Sequence, residues 1–400
     1  MQQAKMALPR AATSKCVGES SPATSLKSKW RVPLLDLTRT YALLEEELAG
    51  TFRRVIRSGR YILGPEVEAL EAAVSTWLGT RECIGMSSGT DALLATLMAL
   101  GVGPGDEIIT SPLTFVSTAE VVARLGATPV FADVCPRCHC LDPNSVSSLF
   151  GAKTRAVIAV HLFGQLGHID ELLRLADDRK VPLVEDACQA FGSNLGGRNA
   201  GTLGTAGCFS FFPSKPFGGF GDAGLVCTND RLLAERLRSL RSHGKVGMHH
   251  FAQLGGNFRI DALQAALLGV LLPHVRSWIV ARRELARTYT ESLRGAPGIA
   301  TPLCCNLTES AWGAYSIRAP QFRDELAAHL RSSGIETAIY YPLILAEQPL
   351  FAGNSKAPAV LGQAVKTARE IVSLPIFPGL TPFDQNYVVS RIRQFCQQMV

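Results

Sequence analysis

The sequence contains no run of lysine or arginine that would argue for a nucleic-acid surface. It contains no apolar stretch approaching the roughly eighteen residues a membrane helix needs. Charge is scarce, with 18% charged residues and a formal net charge of only +6. Nucleic acid and membrane are therefore not expected partners. No secretory signal or internal repeat stands out. The eleven cysteines accordingly read as reduced, buried thiols of a cytoplasmic protein.

What is present suits a packed enzyme-sized chain. Hydrophobic residues make up 47% of 400, enough for one large domain and a smaller one. Residues 1–30 are rich in Ala, Ser and Thr, with five basic residues against the single Glu19. No arginine-rich amphipathic face emerges there, so a disordered extension is expected and not a transit peptide. Residues 31–256 are read as the large domain, and 257–400 as a long helix with a small C-terminal domain.

Amphipathic helices are expected over 41–58 and 65–78, the second opening with Gly64-Pro65. From Cys83 to Thr228 short apolar runs alternate with helical patterns such as 114–125 and 169–178. The runs are EIIT (107–110), PVFADV (129–134), AVIAVHLF (156–163), PLVEDA (182–187), CFSFF (208–212) and GLVCT (224–228). This alternation predicts an α/β/α domain with a mostly parallel sheet, and ligands collect beyond the carboxyl ends of such strands. After Asn257 a long helical stretch with a break at Pro273 is expected. The remainder reads as a strand near 314–318, a helix at 322–332, an extended segment 335–341, and helices over 359–372 and 382–397.

Four stretches fall where such a sheet places a ligand. Ser87–Leu93, SSGTDAL, begins a helix, where free amides suit a phosphate but an ordinary cap by Ser88 or Thr90 serves equally. Phe115 follows a strand, either as a platform for a planar ring or as core. Asp186 ends an apolar strand, where a carboxylate needs a cation or a donor, a structural salt bridge included. Gln189 would face the same way if a helical turn begins there. In SFFPSKPFGGFGDAG (210–224), Lys215 stands at the mouth of a buried run, and Pro216 biases it toward extended angles. A desolvated lysine can attack a carbonyl to form a Schiff base. The following glycines read as room for a ligand and for the turn. In this order the four stretches point to a pyridoxal phosphate site.

Other motifs fail their context. Gly85–Gly89 spells G-x-S-x-G without convincing Asp and His partners, and Gly219–Gly224 fits G-x-G-x-x-G but precedes a strand. Cys135–Cys140, CPRCHC, has no second cysteine pair at a usual distance, and Cys304-Cys305 is too close-set to be one, so no metal is expected.

From Val32 to the C-terminus the chain resembles the DegT-type nucleotide-sugar aminotransferases, a branch of the fold type I pyridoxal phosphate enzymes. The resemblance rests on GRYILGPEVEALE (59–71), SSGTDAL, GVGPGDEIITSPLTFVSTAEVV (101–122), VEDACQAFGS (184–193), the 210–224 stretch, LGGNFRIDALQAAL (254–267) and SLPIFPGLTP (373–382). It implies pyridoxal 5'-phosphate held by Lys215, with Asp186 on the pyridine nitrogen, Gln189 near the ring oxygen and Phe115 stacked on the ring. The backbone at Thr90 and Asp91, with the Ser210 hydroxyl, would take the phosphate. Asn257 would complete that site from the partner subunit of a homodimer. The implied reaction moves an amino group from an amino acid, by family habit L-glutamate, to a nucleotide-diphosphate keto-sugar, in amino-sugar biosynthesis for a surface polysaccharide or a glycosylated metabolite. Keto-sugar dehydratases of the same scaffold carry histidine where Lys215 stands. A regulatory relative without turnover is the other alternative. Gly256 replaces a tyrosine of many relatives, Ala346 a histidine and Ile344 a proline, which leaves the acceptor sugar open.

Overall fold

The computed structural model describes residues 29–305, 307–358 and 360–399. Of the extension expected over 1–30, residues 1–28 lie outside the described residues, and so does Ala359.

A seven-stranded sheet is built from β1 (Glu82–Met86), β2 (Glu107–Thr110), β3 (Thr128–Phe131), β4 (Thr154–Val160), β5 (Leu183–Asp186), β6 (Ala206–Ser210) and β7 (Gly224–Thr228). Their spatial order is β1-β7-β6-β5-β4-β2-β3. The pairs from β3 through to β6 are parallel, while β7 runs antiparallel to both β6 and β1. Side chains alternate across the pleat. Ile84, Ile108, Ile158, Val184 and Val226 enter one apolar layer with helices 89–99 and 231–241. Cys83, Ile109, Val157, Leu183 and Leu225 enter the opposite layer, against helices 65–78, 169–178 and 262–271. Both faces are covered, which is why these strands read as continuous apolar runs. The α/β/α expectation holds.

Local chemistry explains the helices whose ends match the pattern. Helix Pro65–Leu78 starts with proline in its first turn and ends at Gly79, whose φ of 74° is left-handed. Helix Ile169–Asp178 carries Asp170 and Glu171 in its first turn, where the positive end of the helix dipole favours acidic groups. The stretch expected after Asn257 begins as helix at Ala262, takes a tight turn over Leu272–His274 around Pro273, and resumes as Val275–Ser292. At 31 residues it is long and apolar enough by length and composition to cross a membrane, which the sequence reading had not expected of any segment. Its apolar residues are spent on the core: Ala265, Leu268, Leu271, Val275 and Ile279 are all buried.

A second core gathers Tyr289, Tyr315, Leu326, Val372 and Val388. Val32, grouped by chain order with the large domain, is buried here and bridges to Ile335. The stretch expected as one helix over 359–372 divides into helix Gly362–Glu370 and strand Ile371–Leu374, which pairs antiparallel with Tyr315–Arg318. The extended segment 335–341 forms only isolated bridges, at Ile335 and Ala338. The run CFSFF leaves the sheet at Ser210, and Phe212 is exposed.

One buried carboxylate braces the sheet. Glu185, 0% exposed, accepts the amides of Gly201, Leu203 and Gly204, each at 2.7 Å, and meets His161 Nε2 at 2.7 Å. Glu185→Ala would leave the buried Gly201 amide and the partly buried Leu203 and Gly204 amides unpaired, at an expected cost of about 3–5 kcal/mol. Urea unfolding measures this, and a loss below about 1 kcal/mol would refute the bracing role.

Candidate active site

The strand ends converge on one cavity of about 510 Å³. β1 delivers Ser88, Gly89 and Thr90, β2 delivers Thr114 and Phe115, and β5 delivers Asp186, Cys188 and Gln189. Ser210 and Lys215 follow β6. Because β7 is antiparallel, its first residue, Gly224, lies at this same edge opposite both Met86 and Ser210.

Lys215 sits half-buried in a turn closed by its own amide on the Phe212 carbonyl at 2.9 Å. The turn is fastened from below. Phe217 is fully buried, 4.8 Å from both the Phe191 and Phe211 rings, and Phe191 stacks on Trp77 at 4.6 Å. This aromatic block lets the lysine project into the cavity without a helix to carry it. Pro216 is buried beside it. The glycines serve a different end from the room for a ligand read from the sequence. A Cβ at Gly218 would lie 2.4 Å from the Pro213 carbonyl oxygen, and one at Gly224 2.3 Å from the Ser88 carbonyl. They permit close backbone approach between the lysine turn, β7 and the Ser88 loop.

Asp186 is 5% exposed. Its carboxylate accepts Thr118 Oγ1 at 2.7 Å and the Cys188 amide at 3.3 Å, and Thr118 Oγ1 lies 3.1 Å from Thr114 Oγ1. Among the described residues no lysine, arginine or histidine forms an ion pair with it, so the structural salt bridge is not what is found. Gln189 lies in the turn after β5, where the Ala190 amide reaches the Ala187 carbonyl at 2.9 Å. Its Oε1 accepts the Phe163 amide at 2.9 Å, and its Nε2 points to the Tyr341 hydroxyl at 3.4 Å. Phe115 is 54% exposed on the cavity wall, 6.4 Å from the Tyr341 ring, so it is not a core residue.

At the start of helix Gly89–Ala99 both readings of SSGTDAL coexist. Ser88 caps the helix, accepting the Asp91 amide at 3.0 Å. That engagement takes Asp91 out of the expected phosphate contact. Asp91 does not line the cavity, and its carboxylate instead accepts Ser87 Oγ at 2.5 Å, securing the loop. The amides of Gly89 and Thr90, first in the helix, have no intrahelical partner and are the ones left for an anion. A Cβ at Gly89 would come within 2.8 Å of the Ser210 side chain, so glycine allows the hydroxyl and the amides to approach one point. Asn257 is exposed and does not line the cavity of its own chain.

Several residues in and behind the cavity escaped the sequence reading. Thr118, behind the lining, orients the carboxylate, and Tyr341, whose hydroxyl pKa burial raises well above the usual range, lines the cavity beside Gln189 and Phe115. Arg282 is buried, with Nη1 on the carbonyls of Trp312 at 3.1 Å and Ile376 at 2.9 Å. Burial pulls its pKa down to about 10, which leaves it charged near neutrality. It and Lys215 are the cations lining the cavity. Thr118 lay within the 101–122 stretch and Tyr341 ended the expected extended segment 335–341, but neither was given a role; no local pattern marks an arginine inside a long helix.

The donor set fits pyridoxal phosphate. A buried carboxylate lacking a cation suits a protonated ring nitrogen, two helix-start amides with a hydroxyl suit a phosphate, and a lysine lines the same cavity. Ile344 is buried in an apolar cluster with Ala346 packed against it, and neither lines the cavity. At Gly256 a Cβ would lie 2.2 Å from the Phe258 ring, which occupies that space.

Comparison with known proteins agrees along nearly the whole chain. Residues 43–393 match the DegT/DnrJ/EryC1/StrS aminotransferase family. A Geobacillus stearothermophilus protein named pleiotropic regulatory protein is 43% identical over 366 residues, which span 91% of this chain and 98% of that one. The UDP-2-acetamido-2-deoxy-3-oxo-D-glucuronate aminotransferase of Pseudomonas aeruginosa is 40% identical over 87% of this chain and 96% of its own. Streptomyces venezuelae DesV, solved in complex with a ketimine intermediate, superposes with a TM-score of 0.89 at 39% identity, covering 92% of this chain and 99% of that one. Likeness of this extent, together with a cavity built for the same cofactor, places the protein in the DegT/DnrJ/EryC1/StrS aminotransferase family.

Proposed function

We propose that the protein transfers an amino group from L-glutamate to a nucleotide-diphosphate-linked 3-keto sugar. The observation that carries this reading is the convergence of Lys215, uncompensated Asp186 and the Gly89–Thr90 amides on one cavity. The 3-keto position follows the relative whose name specifies a 3-oxo sugar. Pyridoxal phosphate, when bound, supplies an electron sink and carries nitrogen between the two substrates.

The chain's own residues divide the remaining work. The Asp186 carboxylate, held by Thr118, keeps a proton on the ring nitrogen. Lys215 Nζ would hold the cofactor, would take the proton from the donor's reacting carbon and pass it to the cofactor in the first half-reaction, and would deliver a proton from the cofactor to the acceptor's reacting carbon in the second. The Gly89 and Thr90 amides and Ser210 hold the phosphate. Phe115 would bound one face of the ring, and Gln189 and Tyr341, on the same cavity, would offer polar groups to the substrates. Arg282 gives the cavity a second positive charge, which favours anionic donors.

Asn257 supports a homodimer. It is exposed on the 242–257 segment, beside apolar side chains that also face outward: Met248 at 81%, Phe251 at 57% and Leu254 at 89% exposure. Such a patch suits a second copy, with Asn257 reaching the partner's phosphate site. The ten described cysteines form no disulfide, in keeping with a cytoplasmic enzyme. A regulatory protein without turnover has no use for a lysine and an unpaired buried carboxylate facing one cavity.

The test has two stages. Adding L-glutamate to the cofactor-loaded protein is expected to convert the cofactor to its amine form, seen as a spectral change, with release of 2-oxoglutarate. A panel of UDP- and dTDP-linked 3-keto and 4-keto sugars, followed by mass spectrometry, then identifies the acceptor. No spectral change with glutamate refutes the donor; amination confined to 4-keto sugars refutes the position.

A further inference from the structure

Away from the catalytic cavity, three chain segments bring sulfur and nitrogen ligands together. Cys135, Cys138, His168 and Cys305 each present one ligand atom, and all four atoms lie within 4.8 Å of one another. None of these residues lines the catalytic cavity. We propose that they form a structural zinc site of the Cys3His type.

Each segment is shaped for this. Cys135 and Cys138 share the two-residue spacing common in structural zinc sites. Their loop is folded tight: the Cys135 amide meets the Cys140 carbonyl at 2.8 Å, and the His139 amide meets the Cys135 carbonyl at 2.9 Å. His168 precedes helix Ile169–Asp178, and Glu171 meets its Nδ1 at 3.1 Å. A carboxylate on one ring nitrogen orients a ligating histidine and leaves Nε2 for the metal. Cys305 comes from the segment that follows the long helix ending at Ser292.

Neighbouring thiols have other partners. Cys140 Sγ donates to the Gln165 carbonyl at 3.2 Å, and Cys304 Sγ accepts from Gln165 Nε2 at 3.3 Å. Gly167, with φ of 59°, presses close: a Cβ there would lie 2.5 Å from Cys140 Cβ. The three cysteines of the proposed site are buried at 7%, 2% and 3% exposure.

Metal geometry agrees. Zinc–sulfur bonds of about 2.3 Å in a tetrahedron separate sulfurs by about 3.8 Å, so the four atoms need close by no more than about an ångström. A disulfide would account for two thiols and leave the third and the histidine clustered for no reason. On binding, three thiols lose their protons, and Zn²⁺ with three thiolates and one neutral imidazole carries a net charge of −1. A closed set of four protein ligands leaves no position for water or substrate, so the ion is structural. It ties the loop after β3 and the start of helix 169–178 to the segment leaving the long helix. The sequence reading found no metal because it sought a second cysteine pair; His168 and Cys305 are brought in only by the fold.

The full chain, expressed untagged with zinc in the medium and purified without chelator, is expected to hold about one zinc per chain by elemental mass spectrometry. Cys305→Ser and His168→Ala should lower the zinc content at least tenfold, while Cys304→Ser should leave it unchanged. Should the first two fail to fold, cobalt supplied in place of zinc to the unaltered chain should yield the visible bands of tetrahedral sulfur ligation. Three results would overturn the site. They are a zinc content near zero with every thiol reactive after unfolding, a mass loss showing a disulfide among these cysteines, or equal zinc loss in Cys304→Ser.

Discussion

Lys215→Ala is expected to abolish covalent attachment of the cofactor and to lower turnover by at least about 10⁴-fold, since both nucleophile and proton carrier are lost. Folding should survive. The turn is held by the Phe212 carbonyl and by Phe217 in its aromatic block, and neither depends on the lysine side chain. The side chain is half-buried and its removal leaves a gap at a cavity edge and not in the core, so the stability change should stay near about 0.5 kcal/mol. Borohydride treatment followed by peptide mass spectrometry checks the assignment. Unaltered protein should carry the reduced cofactor on the peptide containing Lys215. Fixation elsewhere, or in the alanine variant, sinks the assignment.

Asp186→Asn comes next in expected effect. The amide keeps the size of the carboxylate and can still accept from Thr118, so packing at this 5% exposed position is preserved. It cannot supply the negative charge that keeps a ring nitrogen protonated. Loss of one preorganised electrostatic group in a dry site costs about 10²–10³-fold in turnover. Glutamate KM should change far less, because Asp186 faces the cofactor and not the donor. A single-turnover measurement with L-glutamate separates these quantities. Activity within about tenfold of the unaltered enzyme would mean that the carboxylate is not the ring's counter-charge.

Glu185 and Asp186 illustrate how far adjacent letters can mislead. They are adjacent at the end of the same strand, and the sequence reading gave a role only to Asp186. The pleat sends them to opposite faces: Glu185 to the amides of 201–204, Asp186 to the cavity. Composition carries no trace of that difference, whereas position at the strand's end favoured Asp186. Phe115 is a parallel case, since an aromatic after a strand reads equally as core or as wall until its exposure is known.

The sequence by itself determined the sheet, the order of its strands along the chain, and the helices whose ends carry proline, glycine or acidic punctuation. It also placed Lys215, Asp186, Gln189, Phe115, Thr90 and Ser210 at strand ends, because alternation of strand and helix dictates which ends share an edge. These are local signals, read within a few residues. Tertiary structure alone decided what depends on distant partners. The strand Ile371–Leu374 looked helical until Tyr315–Arg318 offered its hydrogen bonds. The amide of Asp91 was lost to Ser88, and Arg282 entered the cavity from the middle of a long helix. Of the quartet Cys135, Cys138, His168 and Cys305, only the spacing of the first two is legible in the sequence; His168 and Cys305 join them where segments far apart in the chain are packed together, which leaves no periodicity or spacing to read.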